Sequence, residues 1–268
     1  MATTTKKESQ SNGIAVYDGQ FAALDKDSDF GALVAENLGG EGLRPTDLHR
    51  VTFPRETPVW ELSDPTADDG TRIVQELVGV PVRQTVIRQF YLDAYSGGGV
   101  APDCTSPDGV HGYVNSEAGT NSVTLFDGRV VAYGGDCMRC PLNQWESDLK
   151  GGRGKACREY RAVMLLQPNA PLPIVLRLPP TQLGAWRAFG LALVEARVAL
   201  SHAVVGLSIR KKDDNLELIG RLIGVLPPET AQQVGALSQS LLATPAAQAL
   251  LTGGQDDVPE IDDSELPF

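Results

Sequence analysis

A chain of 268 residues, 42% of them hydrophobic, is long enough to bury a real core as one large domain or two small ones, which excludes a fibrous or wholly disordered protein. A formal net charge of −11 at pH 7 and a pI near 4.7 exclude a uniformly basic surface of the kind that coats polyanions. The charge is unevenly placed: the last fourteen residues carry six acids and no base, leaving −5 on the other 254, and between Arg139 and Arg161 six bases stand against three acids.

Residues 1–27 are polar and loosely patterned, lack the apolar stretch of a signal peptide, and read as a flexible arm; residues 28–254 read as a single domain. Asp29 to Leu38 predicts a short helix with Phe30, Leu33, Val34 and Leu38 on one side, ended by Gly39-Gly40, packed on its own core or on a neighbouring copy. From Val51 the texture turns to strand. Thr57 to Leu62 predicts one strand, Arg72 to Tyr95 one or two more, and Ser122 to Tyr133 a hairpin turning at Asp127-Gly128. Tyr160 to Gln167 and Leu172 to Leu178 predict a further hairpin.

After Pro179-Pro180 the apolar period lengthens. Leu183, Trp186, Phe189, Leu193, Ala196 and Leu200 predict a helix capped by Thr181 and lying on the sheet. Val204 to Arg210 and Leu216 to Val225 return to strand texture around Asp213-Asp214-Asn215. Strands, one helix, then two closing strands is the order of an OB-type barrel. The fold class expected is therefore mainly β with helices (α+β): an OB-like barrel with a structural loop at about 104–157 and a C-terminal helical segment from Pro228 to Leu251. The strand at Leu172 to Leu178 is extra to that plan. No apolar run is long enough to span a bilayer, the most apolar helix being interrupted by Glu195 and Arg197, so a cytoplasmic protein is expected. Residues 255–268, QDDVPEIDDSELPF, are too acidic and too poor in core formers to fold alone and read as a disordered tail.

The segment Cys137 to Arg161 holds three of the four cysteines. Cys137-x2-Cys140 is the tight bite that lets a tetrahedral ion take two thiolates from one turn; Cys157 follows after sixteen residues, and Cys104 completes a set of four. In a reducing compartment this favours one structural Zn2+ per chain over a disulfide or redox pair, or over unconnected thiols. His111 is the competing fourth ligand, placed behind Cys104.

No catalytic signature survives inspection, and a non-enzymatic protein is expected. A zinc nucleobase deaminase needs H-x-E and P-C-x-x-C, whereas here His111 opens His-Gly-Tyr and Asp136 precedes Cys137. The Gly-rich loop is no Walker A, because Leu149 and Ala156 stand where Gly and Ser or Thr are required, and no G-x-S-x-G occurs. Four thiolates leave a zinc ion no open position for Lewis-acid chemistry. The loop Lys150 to Lys155, KGGRGK, is either a solvated turn or a place where amides and cations approach phosphates. With Arg88, Arg139, Arg158, Arg161 and the turn at Arg210, Lys211 and Lys212, Lys150, Arg153 and Lys155 compose a cationic set for nucleic acid, and Tyr91, Tyr95, Trp145, Phe90 and Tyr133 are candidate stacking platforms.

The C-terminal tip, with Asp262, Asp263, Leu266, Pro267 and Phe268, resembles that of bacterial single-stranded DNA-binding proteins: acidic and ending in a hydrophobic residue, Pro and Phe. The runs PDCTSPDG (from Pro102), GGDCMRCPLNQW (from Gly134), GRGKAC (from Gly152) and LPPTQLGAW (from Leu178) look similar to zinc-containing single-stranded DNA-binding proteins of phages and mobile elements, over about Leu43 to Arg210. Phage proteins of this kind that hold zinc in an OB domain have a histidine among the ligands; this chain's spacing departs from theirs. The resemblance implies sequence-tolerant binding of single-stranded DNA in phage or plasmid replication and recombination, inside a bacterial host's cytoplasm or nucleoid. It further implies recruitment of replication or recombination proteins by the tip, and is compatible with a homo-oligomer or cooperative filament. The alternative is a zinc-stabilised adaptor that binds a polymerase or transcription protein without a direct role on DNA.

Overall fold

Val, Ile, Thr and Phe crowd the run Glu76–Phe90, and it forms one 15-residue strand on which the other elements are assembled. The structure, a computed structural model, describes residues 14–17, 19, 21, 30–40, 48–63, 70–93, 101–115, 121–168, 170 and 172–242. In chain order the elements are α1 (Phe30–Asn37), β1 (Arg50–Thr52), β2 (Trp60–Ser63), β3 (Thr71–Val74), β4 (Glu76–Phe90), β5 (Cys104–Ser106), β6 (His111–Val114), β7 (Ser122–Thr124), β8 (Val130–Ala132), β9 (Gly135–Asp136), β10 (Arg158–Leu166), β11 (Ile174–Leu178), α2 (Leu183–Glu195), β12 (Ala203–Lys212), β13 (Asn215–Val225) and α3 (Pro228–Leu242). The chain is mainly β with a few helices.

The main sheet runs β1-β11-β10-β4-β5-β6-β9, with β12 on β4 and β13 outside β12. Three partners share β4. Glu76 to Gly79 pair with β12, Val80 to Gln89 with β10, and Arg88 to Phe90 with β5. Gly79 marks the change of partner: a Cβ there would stand 2.5 Å from the Leu166 carbonyl, beside the irregularity at Met164/Leu165.

The largest core lies between this sheet and α2, which sets Trp186, Phe189 and Leu193 against Leu77, Val163, Leu176, Val205 and Leu218. Gly220 leaves room for the Phe189 ring, 2.5 Å from where its Cβ would be. The two buried indoles are satisfied, Trp60 Nε1 donating to the Leu207 carbonyl (2.8 Å) and Trp186 Nε1 to Gln84 Oε1 (2.9 Å). Each such ring contributes stability of the order lost in a Trp→Ala change, roughly 3–5 kcal/mol.

Several expectations are revised. No closed barrel is found among the described residues: β11 spends its second edge on β1, in parallel register from Arg50↔Val175 to Thr52↔Arg177, and does not pair with β13. The strand thought extra, β11, is thus a member of the main sheet. Thr181 does not cap α2. A 3-10 turn at Pro180–Gln182 precedes the helix, and the Gln182 amide accepts the Leu218 N–H (2.9 Å) and donates to the Leu216 carbonyl (2.8 Å). The helix stops at Glu195 because Arg197 turns to φ 58°, so Leu200 falls in the next 3-10 turn. Within the segment expected as an arm, Val16 bridges Val225, and Phe21 is buried beside Val234 of α3. Residues 1–13, 18, 20 and 22–27 of that arm, residues 243–251 of the C-terminal helical segment and the acidic tail lie outside the described residues.

Candidate metal centre

Between β4 and β10 the chain makes an excursion that carries every cysteine. It begins with the β5–β6 hairpin, whose turn is organised by the Asp108 carboxylate accepting the Val110 (2.8 Å) and His111 (3.0 Å) N–H groups and by Gly109 at φ 72°. Those bonds hold the Asp108 carboxyl below the usual range. On β6 alternation sends His111 and Tyr113 outward and Gly112 inward. A Cβ on Gly112 would stand 3.0 Å from Cys104 Sγ and 3.6 Å from Cys137 Sγ. His111 instead packs its ring on Tyr113, centroids 4.9 Å apart.

Past β9 the chain forms a tight knuckle. The Asp136 carboxylate accepts the Met138 N–H (2.9 Å), the Asp136 carbonyl the Arg139 N–H (3.2 Å), and the Val110 carbonyl the Cys137 N–H (2.8 Å). A 3-10 turn at Pro141–Asn143 follows, and the Leu142 carbonyl receives the Cys157 N–H at 2.9 Å. The result brings Cys104, Cys137, Cys140 and Cys157 around one cavity of about 10 Å3, the space of roughly one water-sized sphere.

Such a space suits a single ion. Burial first, then the neighbouring sulfurs with Cys140 foremost, pushes the thiols of Cys104 and Cys157 up to about 12, so with no cation between them both stay neutral. Among the described residues no three or more His, Cys, Asp or Glu side chains stand as a ready-made ion cage. Four thiols lining one ion-sized space nevertheless fit a soft divalent cation, which reverses the local electrostatics by favouring thiolates. Bound by all four, Zn2+ would supply a cross-link and no open coordination position. No protein family, curated protein or solved structure matches this chain.

The excursion also has a core of its own. Phe90, Val123, Leu125, Tyr133 and Leu142 pack with Cys104 and Cys157, the Phe90 and Tyr133 rings 5.0 Å apart. Two candidate stacking residues are thereby buried. The Gly-rich loop is pinned as well. Glu146 N–H donates to the Arg153 carbonyl and Asp148 N–H to the Gly154 carbonyl, both at 3.3 Å, and Gly151, at φ 87°, passes under the Phe126 ring with no room for a Cβ.

On this loop Trp145 is 75% exposed, with Lys155 Nζ 5.4 Å from its ring centroid. Lys150 and Arg153 are exposed on the same loop, and Arg139 projects from the knuckle with Asp136 at 3.6 Å. The remaining cations are not gathered here. Arg88 is partly buried, donating to the Gly109 carbonyl and to Glu159 (2.8 Å), because it ties the β5–β6 turn to β10. Arg161 is half-buried 3.8 Å from Glu159, and Arg158 and Tyr91 are half-buried. Lys211 and Lys212 are exposed on the β12–β13 turn, beyond Glu76 and so at the opposite end of β4 from the cysteines, up to roughly 45 Å of strand away. Tyr95 and the tip residues Asp262, Asp263, Leu266, Pro267 and Phe268 lie outside the described residues.

Three residues at or near this site escape a linear reading. Asn143 is buried between the knuckle and the loop; Phe126 is 72% exposed on the β7–β8 hairpin; and Arg177 lies over the Tyr160 ring at 4.3 Å, donating to Gln89. Only strand register and loop closure bring them into place.

Proposed function

We propose that this chain is a non-enzymatic, sequence-tolerant single-stranded DNA-binding protein of phage or plasmid replication and recombination, stabilised by one Zn2+ on Cys104, Cys137, Cys140 and Cys157. The observation that carries this reading is the exposed Trp145 with Lys155 against it, on a loop that also carries the exposed Lys150 and Arg153 and that follows the knuckle bearing Arg139. An open aromatic face with adjacent cations suits an unpaired base and its phosphate, stacking on such a ring contributing ~1–3 kcal/mol per base. The strand order supports an OB-type reading in opened form: β4 pairs with both β10 and β12, β13 flanks β12, and α2 connects β11 to β12. The acidic tip would recruit replication or recombination proteins.

Titration with oligo-dT and with duplex DNA tests the proposal. Oligo-dT should bind more tightly and quench tryptophan fluorescence, Trp145→Ala should abolish most of the quenching, and neutralising about four phosphates should give a salt slope of roughly −3. Equal affinity for both nucleic acids would sink it. Exposed Val110, Tyr113 and Met138 on the same excursion favour a second reading, an adaptor for a polymerase or transcription protein; binding of such a protein without any oligo-dT quenching would select it.

A further inference from the structure

Asn143 occupies a place that neither the cysteine motif nor the cationic loop accounts for. It is the last residue of the turn after Cys140, buried, with its backbone N–H on the Cys140 carbonyl at 3.1 Å. Its amide faces two ways. Nδ2 donates to the Cys137 carbonyl at 2.7 Å, and Oδ1 accepts from Lys155 Nζ at 3.2 Å. This orientation is the one both partners permit, since a carbonyl cannot donate and an ammonium cannot accept. Aspartate would hold Lys155 but set a carboxylate against the Cys137 carbonyl, and an apolar residue would strand both groups.

We propose that Asn143 is a positioning residue coupling the cysteine knuckle to the nucleic-acid surface: held by the Cys137 carbonyl, it fixes the Lys155 ammonium beside the exposed face of Trp145. The inference rests on the reading above and adds a regulation to it. Lys155 is a long, flexible chain whose ammonium would otherwise sample many positions; anchored, it presents one charge where the phosphate of a base stacked on Trp145 would lie. Because the anchor hangs on the residue between β9 and the rest of the knuckle, the state of the cysteines sets the geometry of the platform. Filling the cavity with an ion then tightens DNA binding without the ion touching DNA.

The test uses the full chain loaded with Zn2+ and oligo-dT titrations read by tryptophan fluorescence across a salt series. Lys155→Met should weaken binding about tenfold and flatten the salt slope by about 0.7, the loss of one phosphate contact. Asn143→Ala should retain its zinc and weaken binding by a similar factor, and the double variant should bind no more weakly than Lys155→Met alone. Additive losses, or an Asn143→Ala protein that binds like the wild type, overturn the inference. Since removing a buried amide can cost the fold, a second arm leaves Asn143 in place and compares zinc-loaded with chelator-treated protein. Zinc removal should reduce affinity much more in the wild type than in Lys155→Met, and equal factors in both overturn the coupling. A wild-type chain that binds but fails either cycle refutes this inference alone; one that ignores oligo-dT refutes the function as well.

Discussion

At Gly112 the constraint on a single residue is steric and chemical at once. A methyl group there would press on Cys104 Sγ at 3.0 Å and Cys137 Sγ at 3.6 Å, in a cavity with room for about one small sphere. Gly112→Ala should therefore lower zinc affinity by roughly tenfold, the size of effect seen when groups just behind metal ligands are altered. Competition with a chromogenic chelator measures it; unchanged retention of zinc would mean that the sulfurs do not close around an ion at this place. The cysteines themselves could be picked out from sequence, because Cys-x2-Cys is a local pattern. Gly112 and Asn143 could not, since what makes each necessary is a sulfur or a lysine brought near by folding.

Among the elements, β4, β12 and β13 are laced by an ion pair that spans all three. Arg221 on β13 donates Nε and Nη2 to the two Glu76 oxygens, both at 2.7 Å, across Gly206 of the middle strand, whose missing side chain leaves the path open. The Arg221 bonds hold the Glu76 carboxyl below its ordinary value. A depressed carboxylate contributes stability above its unfolded pKa, about 4.3, and loses it as pH falls through the lower folded value. Glu76→Gln should cost about 0.5–1 kcal/mol near pH 7, discounted because Arg221 is largely in solvent, and the difference from wild type should begin to shrink as pH falls below about 4.3 and vanish only below the lower folded value. Melting curves across that range decide it; a gap that persists in acid would show that the carboxylate charge is not its source. The longer strands were legible, with ends shifted by a few residues, since alternation and turn residues are local; β5, β6 and β9, short strands within the segment expected as a loop, were not. Closure was not. It depended on whether β11 would meet β13 or β1, a choice made by register between segments more than a hundred residues apart.

At the scale of the whole molecule, the cysteine lobe and the α2-backed sheet have separate apolar cores, one around Phe90, Tyr133 and Leu142 and the other around Trp60, Leu176 and Phe189. If the proposed Zn2+ site holds, removing that ion, which as a structural ion can contribute on the order of 10 kcal/mol, should loosen the first core and spare the second. Chelator-treated protein is expected to be cut by protease within residues 104–157 while the sheet keeps its far-UV dichroism. Full protection of the metal-free lobe would remove the clamp from the account. The cysteines mark this region in the sequence, but its core does not show there, because the members come from β4, the β7–β8 hairpin and the turn after Cys140.

The 15 residues of β4 carry the lobe at one end and run beside β10 for most of their length. A ligand that tugs on the lobe would therefore load that strand lengthwise, in shear, where its hydrogen bonds must give way together instead of peeling apart one at a time. Mechanical resistance of this kind, readable by single-molecule pulling from opposite ends of the strand, would suit the proposed partner, a polymer under tension.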